Sequence, residues 1–187
     1  MKAGVLALQG DFREHAAVLS ELGATAVLVR TPEELASVDC LAIPGGESTT
    51  MAKLAHAHGL VDPLRERAEA GMPVFGTCAG MILMAREVED GEPLLSVLDV
   101  RVARNAYGRQ VDSFEADVEA PSISDDPLRA VFIRAPVVTH VGDGVEVLAE
   151  LGGAPILVEQ GNLLAASFHP ELAGDGRLHG RMLERVG

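Results

Sequence analysis

Apolar and polar positions along the chain switch repeatedly between two periods. Residues 2–8 (KAGVLAL) form an apolar run bounded by Gln9-Gly10, the pattern of a buried parallel strand. In DFREHAAVLSELG the period lengthens. Phe12, His15, Ala16, Leu19 and Leu22 recur at helical spacing, and Gly23 stands where a helix C-terminal glycine belongs. TAVLV (25–29) predicts a second strand. Thr31-Pro32-Glu33-Glu34 combines a capping threonine, a proline at the first helical position and a glutamate at the third, which is a capping box. DCLAIP (39–44) predicts a third strand and STTMAKLAHAHG a helix. DPLRERAEAG predicts another helix with Asp62-Pro63 as its cap, PVF (73–75) a short strand, and AGMILMAREVE a further helix.

Beyond about residue 94 the texture changes. SVLDVRVARN, RQVDSFEADVEA and RAVFIRAP alternate apolar and polar residues, as half-buried antiparallel strands do. GVEVLAEL, APILVEQ and LLAASF add strands, the last two joined by Gly161-Asn162 as a tight hairpin turn, and RLHGRMLERV closes as a helix. Strands and helices alternating at crossover spacing predict an α/β fold in three layers, a mostly parallel central sheet with helices on both faces, with an added antiparallel portion. No repeat, low-complexity tract or linker interrupts the pattern, so one domain over 1–187 is expected.

Composition narrows the function classes. The chain has 187 residues, 48% of them apolar, enough for a sizeable core. A net charge of -13 without any Lys/Arg cluster argues against nucleic acid and anionic membrane as partners. The only cysteines are Cys40 and Cys78, so neither a disulfide framework nor a zinc-type Cys pair is present. The apolar stretch before Gln9 is too short for a signal peptide and far too short to span a bilayer, and a cytoplasmic location is expected.

The candidate chemistry centres on GTCAG, residues 76–80. A cysteine between small residues, after a strand and before a helix, matches the strand-turn-helix of a nucleophile elbow. A helix N-terminus there favours the thiolate. The plainer reading is a packed thiol, since cysteine often behaves as a small hydrophobe. Of the six histidines, His169 stands out. It follows the apolar LLAASF and precedes Glu171 by two residues, so a carboxylate can hold one ring nitrogen while the other faces a thiol. His56 and His58 read as solvated residues of a helix tail, His15 and His179 as helix-surface or helix-packing residues, His140 as part of a turn, and Cys40 as core. The Ala79 amide is the usual first oxyanion donor of an elbow, and the PGGES loop (44–48) offers a second.

GTCAG, SFHPE and IPGGEST together resemble the class I, triad-type glutamine amidotransferases, which have a flavodoxin-like fold. LALQGDFREH, PGGESTTM, RNAYGRQVDSFEAD and VFIRAP narrow the resemblance to the glutaminase branch that serves pyridoxal 5'-phosphate synthase, and the motifs run in order from residue 5 to 172. The resemblance implies hydrolysis of L-glutamine to glutamate and ammonia, with Cys78 as nucleophile, His169 as base and Glu171 as its orienter. It implies Gly46 and Ala79 as the oxyanion hole, and Gly46, Glu47, Ser48, Arg104, Ile133 and Arg134 as substrate contacts. No cofactor or metal is implied. The implied partner is a synthase subunit, a dodecameric (β/α)8 barrel binding up to twelve glutaminase subunits. It would activate the glutaminase and combine its ammonia with ribose 5-phosphate and glyceraldehyde 3-phosphate. One departure is Ala173, where the resemblance places a threonine nearby. The runner-up is a glutaminase for another synthase, such as that of imidazole glycerol phosphate. Two further classes would share parts of the pattern: a degenerate docking module, and a related cysteine hydrolase or chaperone.

Overall fold

The computed structural model describes residues 1–104 and 113–187. Its elements in chain order are β1 (Lys2–Leu6), α1 (Phe12–Glu21), β2 (Thr25–Val29), α2 (Pro32–Ala36), β3 (Cys40–Ile43), α3 (Ser48–Ala57), α4 (Val61–Glu69), β4 (Val74–Thr77) and α5 (Ala79–Met84). There follow β5 (Ala85–Glu89), β6 (Leu98–Ala103), β7 (Ser113–Val118), β8 (Leu128–Ile133), β9 (Val137–Val141), β10 (Glu146–Leu151), β11 (Ala154–Gln160), β12 (Leu163–Ala166), a 3-10 turn (Glu171–Ala173) and α6 (Arg177–Leu183).

The main sheet has seven strands in the order β10-β11-β12-β4-β3-β1-β2. The pairs from β12 through β4, β3 and β1 to β2 are parallel, and β11 runs antiparallel between β10 and β12. Alternation along each strand divides the core in two. Leu41 and Ile43 of β3 face a layer built from Leu35 of α2, Met51 of α3, Leu64 of α4 and Met81 of α5. Cys40 and Ala42 of the same strand face Leu19 of α1 and Leu178 and Met182 of α6. The three-layer α/β expectation is met, and each small sheet covers one side. Leu98, Val100 and Val102 of β6 join the first core, and Val118, Leu128, Ala130 and Phe132 of the β7–β8 hairpin join the second.

Local signals explain the ends of the elements. Thr31 accepts from the Glu34 amide while Glu34 reaches back to the Thr31 amide, the capping box read from sequence. The two residues Gly161 and Asn162 join β11 to β12 as a hairpin. β1 ends at Leu6, before the predicted boundary, and α4 starts at Val61, so Asp62 lies in its first turn and not at its cap. Leu22 is 44% exposed despite its place in the predicted stripe, and His140 lies in β9, not in a turn.

The largest correction concerns residues 79–89, predicted as one helix. Helix α5 stops at Met84, and Ala85 turns to extended backbone (φ -59°, ψ 145°). Residues 85–89 then pair with β6, and Arg101 of β6 bonds Glu87 at 2.6 Å. Tertiary pairing here overrides helix propensity. The unexpected β5–β6 pair is parallel, whereas β6–β9 and β7–β8 are antiparallel, as expected of the strands beyond residue 94. Of RNAYGRQVDSFEAD, residues 105–112 lie outside the described residues. Among the described residues, no helix is long and apolar enough to cross a membrane.

Candidate active site

Strand order reverses at β1, whose neighbours are β2 on one side and β3 on the other. Such a reversal opens a crevice beyond the carboxyl ends of the strands, where ligands bind in open α/β sheets. Four chain segments meet there: residues 9–11 after β1, 46–48 after β3, Cys78 after β4 and His169 after β12. They line a cavity of about 450 Å³, joined by Ile133, Arg134 and Arg104. The cavity therefore gathers Gly46, Glu47, Ser48, Cys78, Arg104, Ile133, Arg134 and His169 of the residues expected from sequence. Glu171 is buried behind His169, and Ala79 is buried at the first position of α5.

Cys78 sits at the cap of α5 with φ 48° and ψ -104°, a conformation that costs energy for any residue with a Cβ. Its amide donates to Ala166 O at 2.8 Å, which pins the elbow to β12. Small residues are required beside it. A Cβ on Gly80 would fall 2.1 Å from Ile43 O, so α5 can pack against β3 only with glycine there. The Cys78 thiol lies 6% exposed and donates to Ile133 O at 3.8 Å. Cys40 is a different case. It is fully buried in the core, and burial together with the Asp39 charge pushes its thiol up to about 11, which makes it inert.

His169 follows β12, and its amide donates to Val131 O of β8 at 2.8 Å. Nδ1 lies 2.7 Å from Glu171 Oε1, which leaves Nε2 for the thiol. Burial alone would lower the His169 pKa. Its interactions with Cys78 and Glu171 outweigh burial and raise it to about 10. Burial likewise opposes charge on Glu171, but His15 and His169 hold it well below the usual carboxylate range. The imidazole fits closely against the β3 loop, because a Cβ on Gly45 would fall 2.2 Å from His169 Cε1.

The loops after β1 and β3 are tied together. The Asp11 amide donates to Gly45 O at 3.2 Å, and the Glu47 amide donates to Gln9 Oε1 at 2.7 Å. In a trans peptide the N–H and C=O point oppositely, so the Gly46 N–H is directed away from the Asp11 amide. Glu47 caps α3, accepting from the Thr49 amide at 3.0 Å and the Thr50 amide at 2.7 Å, and Thr50, by hydroxyl and backbone, leads in lowering its pKa to about 2. Arg104 donates to Asp90 O at 2.8 Å, and Arg134 has φ 44°, a second strained non-glycine residue at the cavity.

Sequence reasoning missed Gln9, Asp11 and the part played by His15 and His179. Asp11 Oδ2 lies 3.4 Å from His169 Nδ1. His15 and His179, expected at helix surfaces or packing positions, are both fully buried beside Glu171 and Thr77. The available signal was the place of His15 within the apolar stripe of α1. Asp11, His169 and Glu171 present one donor atom each within 4.8 Å of one another, a set that could hold a divalent ion. A metal on His169 Nδ1 would displace the proton that joins His169 to Glu171.

Comparisons with known proteins identify the family. The family model of the SNO glutamine amidotransferase family matches residues 5–186. The chain belongs to that family. A pyridoxal 5'-phosphate synthase subunit PdxT from Pelotomaculum thermopropionicum is 55% identical over 186 residues, 99% of this chain and 95% of that protein. A crystal structure of a glutamine amidotransferase is 53% identical, superposes with a TM-score of 0.93, and is matched over 99% of this chain and 98% of its own. The structure of PurLQS from Thermotoga maritima contains a chain of the same fold, with a TM-score of 0.74 at 15% identity over 100% of this chain and 98% of that one. The chain is thus a glutamine amidotransferase with that family's α/β fold.

Proposed function

We propose that the chain hydrolyses L-glutamine to L-glutamate and ammonia through a thioester on Cys78, and that the ammonia serves pyridoxal 5'-phosphate synthesis by a partner synthase. The 2.7 Å contact of His169 Nδ1 with Glu171, behind a cysteine at a strained elbow, carries the reading. The thiol proton passes to His169 Nε2, where the raised pKa holds it. Sγ attacks the side-chain amide carbon, and the developing oxyanion is met by the amides of Gly46 and Ala79. Collapse breaks the C–N bond as His169 returns the proton to the leaving nitrogen, releasing ammonia. Water then attacks the thioester, losing its proton to His169, and the second collapse frees glutamate and the thiolate. Glu47, Ser48, Arg104, Ile133 and Arg134 surround the rest of the substrate, with an arginine fork suited to its α-carboxylate.

The partner we assign is a synthase subunit forming a dodecameric (β/α)8 barrel that carries up to twelve glutaminases. The names of relatives at 55% identity, as subunits of pyridoxal 5'-phosphate synthase, support this pairing. Glutamate release by the parent and by Cys78→Ala, each with and without the synthase subunit, tests both parts. Cys78→Ala is expected to release none while still binding the synthase, and the parent to be faster in the complex. Glutamate from the variant would overturn the mechanism, and equal parent rates would overturn activation by docking.

A further inference from the structure

We propose that His15 is a positioning residue of the triad: from α1 it braces both Glu171 and the Thr77 end of the elbow, with its tautomer set by His179 of α6. All three side chains that contact it in this way are fully buried or nearly so: Thr77 and His179 at 0% exposure and Glu171 at 5%. His15 Nε2 lies 3.0 Å from Thr77 Oγ1 and 3.4 Å from Glu171 Oε1, and His15 Nδ1 lies 2.8 Å from His179 Nε2.

Counting protons fixes the arrangement. An ionised carboxylate only accepts, so the His15 nitrogen facing Glu171 must carry hydrogen. That N–H is shared between Glu171 and Thr77. A neutral His15 then has a bare Nδ1, which accepts from His179 Nε2–H, and a neutral His179 has a bare Nδ1 in turn. Burial depresses His179 to about 3, in keeping with its neutrality. The same Glu171 Oε1 that His15 faces is the oxygen at His169 Nδ1. Thr77 immediately precedes the nucleophile, so one imidazole spans the acid end and the sulfur end of the triad. The ionisable groups around Glu171 are His15 from α1, His169 from its own loop and Asp11 ahead of α1; those around His179 are His15, Glu171 and Asp175.

This inference rests on the triad reading but fails separately, since Cys78→Ala tests the triad and the His15 series is read against an active parent. The series is His15→Phe, which keeps a ring but no donor, His15→Gln, which restores a side-chain N–H, and His179→Leu, which removes the donor to Nδ1. Each is assayed for kcat, KM and the pH profile of kcat/KM, together with Tm. In His15→Phe we expect kcat to fall about 10- to 100-fold with KM little changed, as for other residues that orient a catalytic group through hydrogen bonds. Its acid limb moves to higher pH, because Glu171 loses a donor that favours its charge. His15→Gln recovers most of kcat, and His179→Leu shifts kcat in the same direction by less. A His15→Phe protein that loses only Tm and keeps the parent's pH profile would overturn the proposal. If His15→Phe does not fold, His15→Gln and His179→Leu decide: parent-like kcat in His179→Leu, or no kcat in a folded His15→Gln, refutes it.

Discussion

Gly45→Ala isolates the fit between the β3 loop and the base. The new Cβ would fall 2.2 Å from His169 Cε1, 3.0 Å from Nδ1 and 3.2 Å from Nε2, where ordinary contact begins at 3.4 Å. The ring must therefore retreat by about 1.2 Å. It has little freedom to do so, because Nδ1 is held by Glu171 at 2.7 Å and the His169 amide by Val131 O at 2.8 Å. Either the Glu171 bond lengthens or Nε2 leaves the thiol. A misplacement of about 1 Å in a catalytic group costs on the order of 10²-fold in rate, so kcat should fall at least about that far with KM less affected. Overpacking adds a stability cost of about 1–3 kcal/mol, partly offset by about 0.4–1 kcal/mol from a less flexible unfolded chain. The assay is glutamate release in the presence of the synthase subunit, with Tm measured alongside. A folded Gly45→Ala protein with kcat within about twofold of the parent would refute the reasoning, since the imidazole would then tolerate a shift larger than the catalytic tolerance allows.

Other expectations follow from the same contacts. Glu171→Gln should keep more activity than Asp11→Asn/Glu171→Gln, because Asp11 Oδ2 at 3.4 Å offers His169 Nδ1 a second acceptor; equal rates in single and double variants would dismiss Asp11 as a reserve. The raised His169 pKa contributes stability that is complete below about 6.5 and lost as pH rises through about 10. Thermal denaturation from pH 6 to 10.5 should show that loss, and Cys78→Ala should move it to lower pH because the sulfur is one cause of the shift. Glu159, buried on β11, is paired with Arg181 at 2.7 Å and Arg185 at 2.7 Å. Either arginine alone can be lost cheaply, but Arg181→Ala/Arg185→Ala strands the carboxylate and should cost about 3 kcal/mol in urea denaturation, well beyond additivity.

Much of the site can be read along the chain because each member ends an apolar run. Cys78 follows buried β4 and His169 follows buried β12, and the turn beyond such a strand must expose something. Glycines at 45, 46, 76 and 80 flag close approaches whatever the tertiary partner. Residues 85–89 read as helix because their strand character comes from β6, which begins at Leu98, and not from their own composition. His15 and His179 lie 164 positions apart, and nothing local to either says that their rings meet. Asp11 is passed over for the opposite reason: an acidic residue at a helix start has an ordinary explanation as a cap, yet no side-chain cap bond is made there.

The order of strands in the main sheet has a consequence for how the protein is made. β4 lies between β3 and β12, so the edge beside Cys78 is completed by a strand translated well after it. A nascent chain that has folded β1 to β4 holds its thiol beside an open, mostly apolar strand edge, with no imidazole to activate it. Such an edge invites pairing with other chains until it is covered. Under the proposed mechanism, synthesis therefore yields a thiol without its base first, and the Cys78–His169 pair only when β12 docks.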